Sequence, residues 1–306
     1  MTDKKRLIII DSNALLHRAF HALPPLATKN GEETGAIYGY LLILFKAIAD
    51  LQANYVVACF DTKAKTFRHK MFKDYKGTRS QTPDQVILQL PKTKLILDKF
   101  KIPIFAKEGV EADDLIATIC QLALSQVEGI APKQTENLEI FILSGDLDNL
   151  QLVNEFVKVY TLGKGIKDTV VYDEERVMSR FGVRPDQIID FKALTGDVSD
   201  NIPGVKGIGK TTAADLLQRY SSIANLYNEL ATDTAVLKPK VKELLKGSKE
   251  NAFLSFALAE MKKDVDIDFK INDCKFGNFD TKEVSDILRE FEFNTLINRL
   301  PFLRQI

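Results

Sequence analysis

The chain has 306 residues, of which 45% are hydrophobic, and this is enough apolar material for one large core with a smaller domain appended. Its 42 acidic residues balance 42 lysines and arginines, which argues against a protein that binds nucleic acid through overall positive charge. No apolar run reaches the length of a membrane span, and residues 1–6 lead into an apolar run without the pattern of a signal peptide. We expect a soluble, cytoplasmic monomer with no membrane partner.

Three apolar runs of the chain each end on an aspartate. The runs cover residues 7–11, 56–61 and 140–146, and they end on Asp11, Asp61 and Asp146. Apolar runs of this length that alternate with helix-like segments are typical of strands buried on both faces of a parallel sheet. Because parallel strands point the same way, the three carboxylates are expected to meet at the carboxyl edge of one sheet. Like charges that lie close together raise one another's pKa or bind a cation, so the pattern predicts a metal site.

Segments with apolar residues at helical spacing separate these runs. They cover residues 12–20, 35–51, 83–100 and 115–126. A further short strand is predicted over 102–105, and the polar tract 127–137 is expected to be a surface insertion. The alternation of strands and helices predicts an α/β fold with a parallel sheet. Beyond about residue 181 the pattern becomes mainly helical.

The cysteines and histidines do not form a metal-binding pattern. Neither the three cysteines nor the three histidines have the spacing of zinc ligands. The cysteines Cys59, Cys120 and Cys274 lie in apolar surroundings and are expected to be reduced thiols in the core. Any metal held by the aspartates is therefore expected to be a hard cation with oxygen ligands, Mg²⁺ or Mn²⁺.

Positive charge is concentrated in one segment directly after the second acid-ended run. Residues 62–79 contain seven lysines and arginines against a single acidic residue. A charge run alone is usually a solvated loop. Here the basic residues are interleaved with Phe67, Phe72 and Tyr75, so we favour an arm that contacts phosphate beside the metal site.

Further carboxylates stand at the boundaries of other predicted elements. They are Glu111, Asp113, Asp114, Asp148, Asp197 and Asp200. Each has a structural explanation, because acidic residues favour the first turn of a helix and polar turns after strands. Their number favours a shared cleft instead, and so many carboxylates in one cleft require divalent cations. This combination suits a two-metal site for the hydrolysis of phosphodiesters.

A glycine-rich segment over residues 204–211 allows two interpretations. Its sequence GVKGIGKT matches the phosphate-binding loop of nucleotide hydrolases. Such a loop follows a strand, whereas the residues before this segment are predicted to form a helix over 188–194 and a polar turn. We favour a helix–hairpin–helix, in which backbone N–H groups and a helix N-terminus bind a nucleic-acid phosphate, over an ATP site.

Several long motifs occur in the order found in a known family. They read FD at 60–61, TFR at 66–68, YKGTR at 75–79, GVEADD at 109–114, GDLDNLQL at 145–152, GDVSDNIPGV at 196–205 and FEFNTL at 291–296. In this the chain resembles the 5′-nuclease domain of bacterial DNA polymerase I, a member of the flap endonuclease superfamily. The resemblance covers essentially the whole chain.

The resemblance implies a fold with two regions. Residues 1–180 are expected to form a PIN-like parallel-sheet nuclease core of the α/β class, with a helical arch over about 66–100. Residues 181–306 are expected to form a helical DNA-binding region, with a helix-3-turn-helix (helix–hairpin–helix) over about 186–220 and a closing C-terminal segment. The implied activity is metal-dependent 5′-3′ exonuclease and flap endonuclease cleavage of DNA in primer removal and repair.

The resemblance also assigns roles to single residues. The acids around a first metal are Asp11, Asp61, Glu111, Asp113 and Asp114, and those around a second are Asp146, Asp148, Asp197 and Asp200. The arch residues that steer the scissile phosphate are Tyr75, Lys76 and Arg79. The DNA-contacting residues are Arg18, Arg68, Gly204, Lys206, Gly207, Gly209, Lys210 and Thr211. The implied cofactors are two or more Mg²⁺ or Mn²⁺ ions and a monovalent cation at the hairpin.

Some alternatives stay open at this level. The family hairpin usually carries a lysine where this chain has Thr211, so either Lys206 or Lys210 is expected to make the phosphate contact. A PIN-type ribonuclease would share the acid-ended strands but not the hairpin, and a catalytically silent DNA-binding protein would not need the complete set of acids. The chain is either a stand-alone enzyme that works with a DNA polymerase and ligase, or part of a longer polymerase.

Overall fold

One mixed sheet forms the centre of the first half of the chain. The computed structural model describes residues 4–128, 138–163, 165 and 168–304. The strands within them are β1 (Lys5–Asp11), β2 (Tyr55–Cys59), β3 (Ile104–Phe105), β4 (Leu138–Leu143), β5 (Val157–Leu162) and β6 (Thr169–Tyr172). They lie in the order β3-β2-β1-β4-β5-β6. All neighbouring strands are parallel except β5 and β6, which are antiparallel.

The three acid-ended runs are adjacent strands of this sheet, which confirms the sequence prediction. Asp11 at the end of β1 pairs with Cys59 at the end of β2, and Leu143 at the end of β4 pairs with Ile10. The chain leaves β1 toward β2 on one side and returns to β4 on the other, so the carboxyl ends of β1 and β4 flank the point where the strand order reverses. Open α/β sheets bind their ligands at this point.

Two of the strands end earlier than the sequence predicts. The apolar runs were expected to continue to Asp61 and Asp146, but β2 ends at Cys59 and β4 ends at Leu143. The N–H group of Asp61 donates to the side chain of Asn13, and that of Asp146 donates to the hydroxyl of Ser144. Polar side chains therefore replace the sheet as hydrogen-bond partners, and both aspartates lie in loops.

Helices cover both faces of the sheet. They are α1 (Ser12–Ala22), α2 (Gly35–Leu51), α3 (Phe67–Met71), α4 (Asp84–Lys99) and α5 (Ala112–Glu128). Leu7 and Ile9 of β1 pack into the core that includes α5, whereas Ile8 and Ile10 pack into the core that includes α1, α2 and α4. This alternation follows from the two-residue period of a strand that is buried on both faces.

The predicted helical segments differ from the structure in two places. The predicted arch over 66–100 consists of the short helix α3, a connection over 72–83 that contains no helix, and α4. Residues 127–128 continue α5, and the rest of the predicted insertion, 129–137, lies outside the described residues. The helix predicted over 35–51 has the predicted bounds.

The second half of the described chain is helical. Its helices are α6 (Glu174–Phe181), α7 (Ile188–Thr195), α8 (Lys210–Tyr220), α9 (Ile223–Ala231), α10 (Pro239–Gly247), α11 (Lys249–Ala259), α12 (Thr281–Glu290), α13 (Asn294–Ile297) and α14 (Leu300–Leu303). The last three return to the sheet and bury Leu288, Leu296 and Leu300 in the core that includes α2 and α4. No helix among the described residues is long and apolar enough to cross a membrane.

Replacing Gly39 with Ala should destabilise the protein, because α1 and α2 cross at this glycine. A Cβ atom on Gly39 would lie 2.8 Å from Cβ of Ala19 and 2.9 Å from a methyl carbon of Leu23. We expect the free energy of unfolding in urea to fall by roughly 1–3 kcal/mol, because this overpacking outweighs the better helix propensity of alanine. The matched control is Gly247→Ala in α10, where a Cβ would meet no atom of the described residues within 4 Å. An equal response of the two variants would contradict the close crossing.

Candidate metal centre and phosphate-binding surface

Asp11 stands at the centre of the carboxyl edge. It caps the N-terminus of α1 by accepting a hydrogen bond from the N–H of Ala14 at 3.2 Å, and its other oxygen accepts one from the hydroxyl of Ser144 at 2.7 Å. The residue is 4% exposed. Burial, with added repulsion from Asp61 and Asp146, raises the pKa of Asp11 to about 7 against the effect of its hydrogen bonds. A carboxylate in this position therefore needs a nearby cation to ionise fully.

Asp61 reaches the same edge from the loop after β2. Its carboxylate accepts a hydrogen bond of 2.8 Å from the N–H of Ala112, the first residue of α5. Although Asp61 lies at the open surface of the cleft, desolvation of its carboxylate is the main cause that raises its pKa. The helix N-terminus holds the side chain in place.

Asp113 and Asp146 complete the crowded part of the edge. The side-chain N–H of Asn149 donates to Asp113 at 3.2 Å, and Asp146 accepts the N–H of Asp148 at 2.9 Å. Burial, followed by repulsion from Asp11, Asp146 and Asp148, raises the pKa of Asp113 well above its usual value. The carboxylates that the sequence predicts to meet therefore do repel one another in the structure.

A lysine joins two acids that lie far apart in the chain. The ammonium of Lys192, in α7, donates to Asp148 and also to Asp197 at 2.7 Å. Burial and repulsion by Asp146 raise the pKa of Asp148 to about 6 in spite of this lysine. Burial also opposes ionisation of Asp197, but Lys192 outweighs it and the pKa of Asp197 falls to about 2. The contact links the loop after β4 to the residues that precede the glycine-rich hairpin.

The basic segment lies on the remaining acids of the cleft. The hydroxyl of Tyr75 contacts one oxygen of Glu111 and one of Asp200, each at 3.2 Å. Lys76 donates to Glu111 at 2.8 Å, and the guanidinium of Arg79 donates to Asp200. The backbone N–H of Lys76 also donates to the carbonyl of Asp200 at 2.9 Å. The arm predicted to contact phosphate therefore neutralises carboxylates of the predicted metal site in this structure.

Arg68 and Asp114 form a buried ion pair beside the cleft, with a guanidinium nitrogen of Arg68 3.7 Å from an oxygen of Glu111. The sequence indicated a DNA contact and a metal ligand, but the two side chains form a pair of hydrogen bonds of 2.8 Å with each other. Asp114 is fully buried and Arg68 is 2% exposed. Arg68 donates in addition to the carbonyls of Leu258 and Glu260. Their functional groups are therefore occupied inside the protein.

The donor atoms at the edge suit a hard cation. They are carboxylate oxygens together with Oδ1 of Asn149, a buried atom that has no hydrogen-bond partner among the described residues. Among all the described residues, no three His, Cys, Asp or Glu side chains lie close enough together to enclose one ion. Lys76, Arg79 and Lys192 pair with four of the acids, so a cation must compete with these side chains for its ligands.

The glycine-rich segment is a hairpin between two helices. It connects α7 to α8, so the ATP-site reading is wrong because a helix stands where that loop requires a strand. A Cβ on Gly204 would lie 2.3 Å from the backbone nitrogen of Gly196, and the N–H of Gly204 donates to the buried hydroxyl of Ser255 at 2.9 Å. Gly204 is therefore an internal packing residue. The exposed residues of the predicted phosphate contact are Lys206, Gly207, Gly209, Lys210 and Thr211.

Arg18 is exposed beside the acidic edge. It projects from α1, donates to the carbonyl of Gly163 at 2.6 Å, and lies next to Gly145 in the loop that carries Asp146. Sequence reasoning missed three other residues that hold the acids in place, namely Ser144, Asn149 and Lys192. Asn149 lies within the recognised motif at 145–152 and Ser144 directly precedes it, whereas Lys192 lies inside a helix and has no local signal.

The sheet edge and the hairpin together define a class of protein. A parallel sheet that gathers carboxylates at its carboxyl edge, followed by a helix–hairpin–helix, is the PIN-like nuclease architecture expected from the motifs. Two family models match the chain: the 5′-3′ exonuclease N-terminal resolvase-like domain over residues 6–182, and the 5′-3′ exonuclease C-terminal SAM fold over residues 183–282. The chain belongs to the 5′-3′ exonuclease family.

Relatives of two lengths support this membership. The chain is 36% identical over 296 residues to the 5′-3′ exonuclease of Aquifex aeolicus, and the match covers 97% of this chain and 95% of that one. It is 37% identical over 300 residues to DNA polymerase I of Bacillus subtilis, covering 98% of this chain and 33% of the polymerase. The chain therefore spans about a third of the length of the polymerases it matches.

Solved structures share the fold. The T5 5′-exonuclease with bound zinc is 20% identical, with a TM-score of 0.66, and the match covers 98% of this chain and all of that chain. The catalytic core of Rad2 in complex with a DNA substrate is 17% identical, with a TM-score of 0.60, and the match covers 95% of this chain and 88% of that one.

Replacing Asp11 with Asn should reduce the pH dependence of stability in EDTA. Because the folded state holds a proton on Asp11 up to about pH 7 and the unfolded state loses it near pH 4, wild-type stability falls as pH rises between these values. The amide of asparagine does not ionise, so the variant does not lose stability in this way as pH rises. We expect Asp11→Asn to gain on the order of 3 kcal/mol relative to wild type between about pH 4.5 and about pH 8. The exposed Asp286→Asn is the control, and parallel curves for wild type and Asp11→Asn would contradict the raised pKa of Asp11.

Proposed function

We propose that the protein is a structure-selective 5′-3′ exonuclease and flap endonuclease that hydrolyses DNA phosphodiesters with two divalent ions, Mg²⁺ or Mn²⁺. The observation that carries this proposal is the contact of Lys192 with Asp148 and Asp197. It brings the acidic edge of the sheet against the base of the hairpin, so a duplex bound by the hairpin would lie beside the acids. Family membership supports the same reaction class, and we extend the proposal to a role in primer removal and repair with a DNA polymerase and ligase.

The acids of the edge would hold the ions. Asp11, Asp61, Glu111 and Asp113 are proposed for the first, and Asp146, Asp148, Asp197 and Asp200 for the second. When bound, such ions lower the pKa of a water molecule and stabilise charge on a phosphate. Asp114 is left out of this set because Arg68 and backbone N–H groups occupy its oxygens. A monovalent cation at the hairpin remains part of the proposal.

The basic side chains of the segment 62–79 would leave their carboxylate partners and bind a phosphate of the substrate. Lys76 and Arg79 pair with Glu111 and Asp200 in this structure, and they can move to a phosphate when ions neutralise those carboxylates. Tyr75 is 4% exposed and its hydroxyl contacts both Glu111 and Asp200, so it holds the two acids at a fixed separation. Arg18 is exposed, lies beside the loop of Asp146 and is a further candidate for contact with a phosphate.

The hairpin would bind the duplex. No atom of a neighbouring part of the described chain lies within 4 Å of the position where a Cβ of Gly209 would stand, so a phosphate can approach the backbone at the N-terminus of α8. Exposed Lys206 and Lys210 flank this position. The hairpin favours a DNA nuclease over a PIN-type ribonuclease, which would have the acidic edge alone.

Replacing Asp146 with Asn should abolish cleavage and preserve binding. With Mg²⁺, we expect wild type to cut a 5′-flap duplex near the junction, and EDTA to prevent this. The variant loses a charge that faces Asp11 and Asp113, and its cleavage rate should fall about 100-fold or more. The exposed Asp286→Asn should cut like wild type. Normal cleavage by Asp146→Asn, or cleavage in EDTA, would refute the metal assignment.

Substitution of the hairpin lysines should identify the phosphate contact. We expect Lys206→Ala or Lys210→Ala to lower the slope of log affinity against log salt by about one, because each phosphate contact releases about one counterion. Binding is measured on duplex DNA in EDTA, and the exposed Lys282→Ala is the control. If neither variant changes the slope, the hairpin is not the phosphate-binding surface.

A further inference from the structure

A buried network connects the hairpin to the acidic edge. Within the hairpin, Gly204 fits against Gly196, and its N–H donates to the hydroxyl of Ser255 at 2.9 Å. Ser255 is fully buried and belongs to α11. The start of the hairpin is therefore fixed to α11 by a hydrogen bond that water does not reach.

The segment that follows Ser255 is held by side chains of the catalytic half. Arg68 donates to the carbonyl of Leu258 at 2.9 Å and to that of Glu260 at 2.7 Å. Gln151 donates to the carbonyl of Ala259 and accepts the N–H of Met261, both at 3.1 Å. The backbone at the end of α11 is thus held by hydrogen bonds from Arg68 in α3 and from Gln151 in the segment after β4.

The same network reaches an acid of the edge. Asp114 binds Arg68 with both oxygens, accepts the N–H of Lys262 at 2.9 Å, and accepts the N–H of Glu111 at 3.0 Å. Glu111 in turn contacts Tyr75 and Lys76. A chain of buried hydrogen bonds therefore runs from the hairpin to the catalytic cleft, and we call its side chains Ser255, Gln151, Arg68 and Asp114 the brace.

We propose that the brace sets the distance between the hairpin and the acidic edge, and thereby selects which phosphodiester is cut. The inference rests on the proposed function. Neighbouring base pairs are about 3.4 Å apart along the axis, so a shift of that size moves the cut by one nucleotide. A misplacement of about 1 Å already costs on the order of 100-fold in rate. All four side chains of the brace are buried, so they would act as positioning residues.

Ser255→Ala tests this role directly. The variant loses only the acceptor for Gly204, and the matched control Ser125→Ala loses an exposed hydroxyl on α5 that donates to the carbonyl of Leu122. An end-labelled 5′-flap duplex is cut under single-turnover conditions with Mg²⁺, and the products are resolved to one nucleotide. We expect cuts at the neighbouring phosphodiesters to rise about tenfold relative to the main cut, with duplex affinity in EDTA within about twofold of wild type.

The cut pattern distinguishes a positioning role of the brace from a simple loss of folded protein. An unchanged cut pattern with a uniformly lower rate would overturn the proposal, because loss of folded protein changes the amount of product and not its position. Gln151→Met, which loses both contacts with the segment 259–261, carries the same test if Ser255→Ala does not fold. If wild type cuts no flap, the proposed function fails and the brace fails with it. If wild type cuts and neither variant alters the pattern, the brace alone is refuted.

Discussion

The burial of several carboxylates beside one another at the carboxyl edge of the sheet is the constraint on which the rest of the site depends. Parallel β1, β2 and β4 bring Asp11, Asp61 and Asp146 to one edge, and α5 adds Asp113. Burial and mutual repulsion raise the pKa of Asp11 to about 7 and that of Asp113 well above its usual value. An edge of this kind is stable only with protons, basic side chains or cations on it. Among the described residues, basic side chains pair with the surrounding acids Glu111, Asp148, Asp197 and Asp200, whereas Asp11 and Asp113 keep a raised pKa and would be stabilised by protons or cations.

The basic side chains at this edge also connect the two halves of the chain. Lys192 from α7 neutralises acids on both sides of the boundary between sheet and hairpin, and the segment with Lys76 and Arg79 lies on Glu111 and Asp200. The ion pairs that satisfy the acids in this structure are thus the same contacts that position the hairpin and the arm. Binding of cations and binding of DNA are therefore expected to rearrange one shared set of contacts.

The sequence predicts well the features that depend on periodicity and order along the chain. Adjacent acid-ended strands and the helix over 35–51 follow from apolar patterning. The partner of a charged residue does not, since Arg68 and Asp114 have the residue types of a site and yet bind each other in the interior. Gly204 has the glycine of a phosphate loop and is instead packed against Gly196. Lys192 could not be predicted, because its role depends on a contact 44 residues away in sequence.

Anomalous diffraction from crystals soaked in Mn²⁺ tests the central claim most directly. We expect Mn²⁺ peaks beside Asp11, Asp113 and Asp146, with Lys76 or Lys192 displaced from its carboxylate, and loss of the peaks in Asp113→Asn. Mn²⁺ at other sites only, with the basic side chains still paired to Glu111, Asp148, Asp197 and Asp200, would contradict the account, because the crowded carboxylates would then bind no divalent cation.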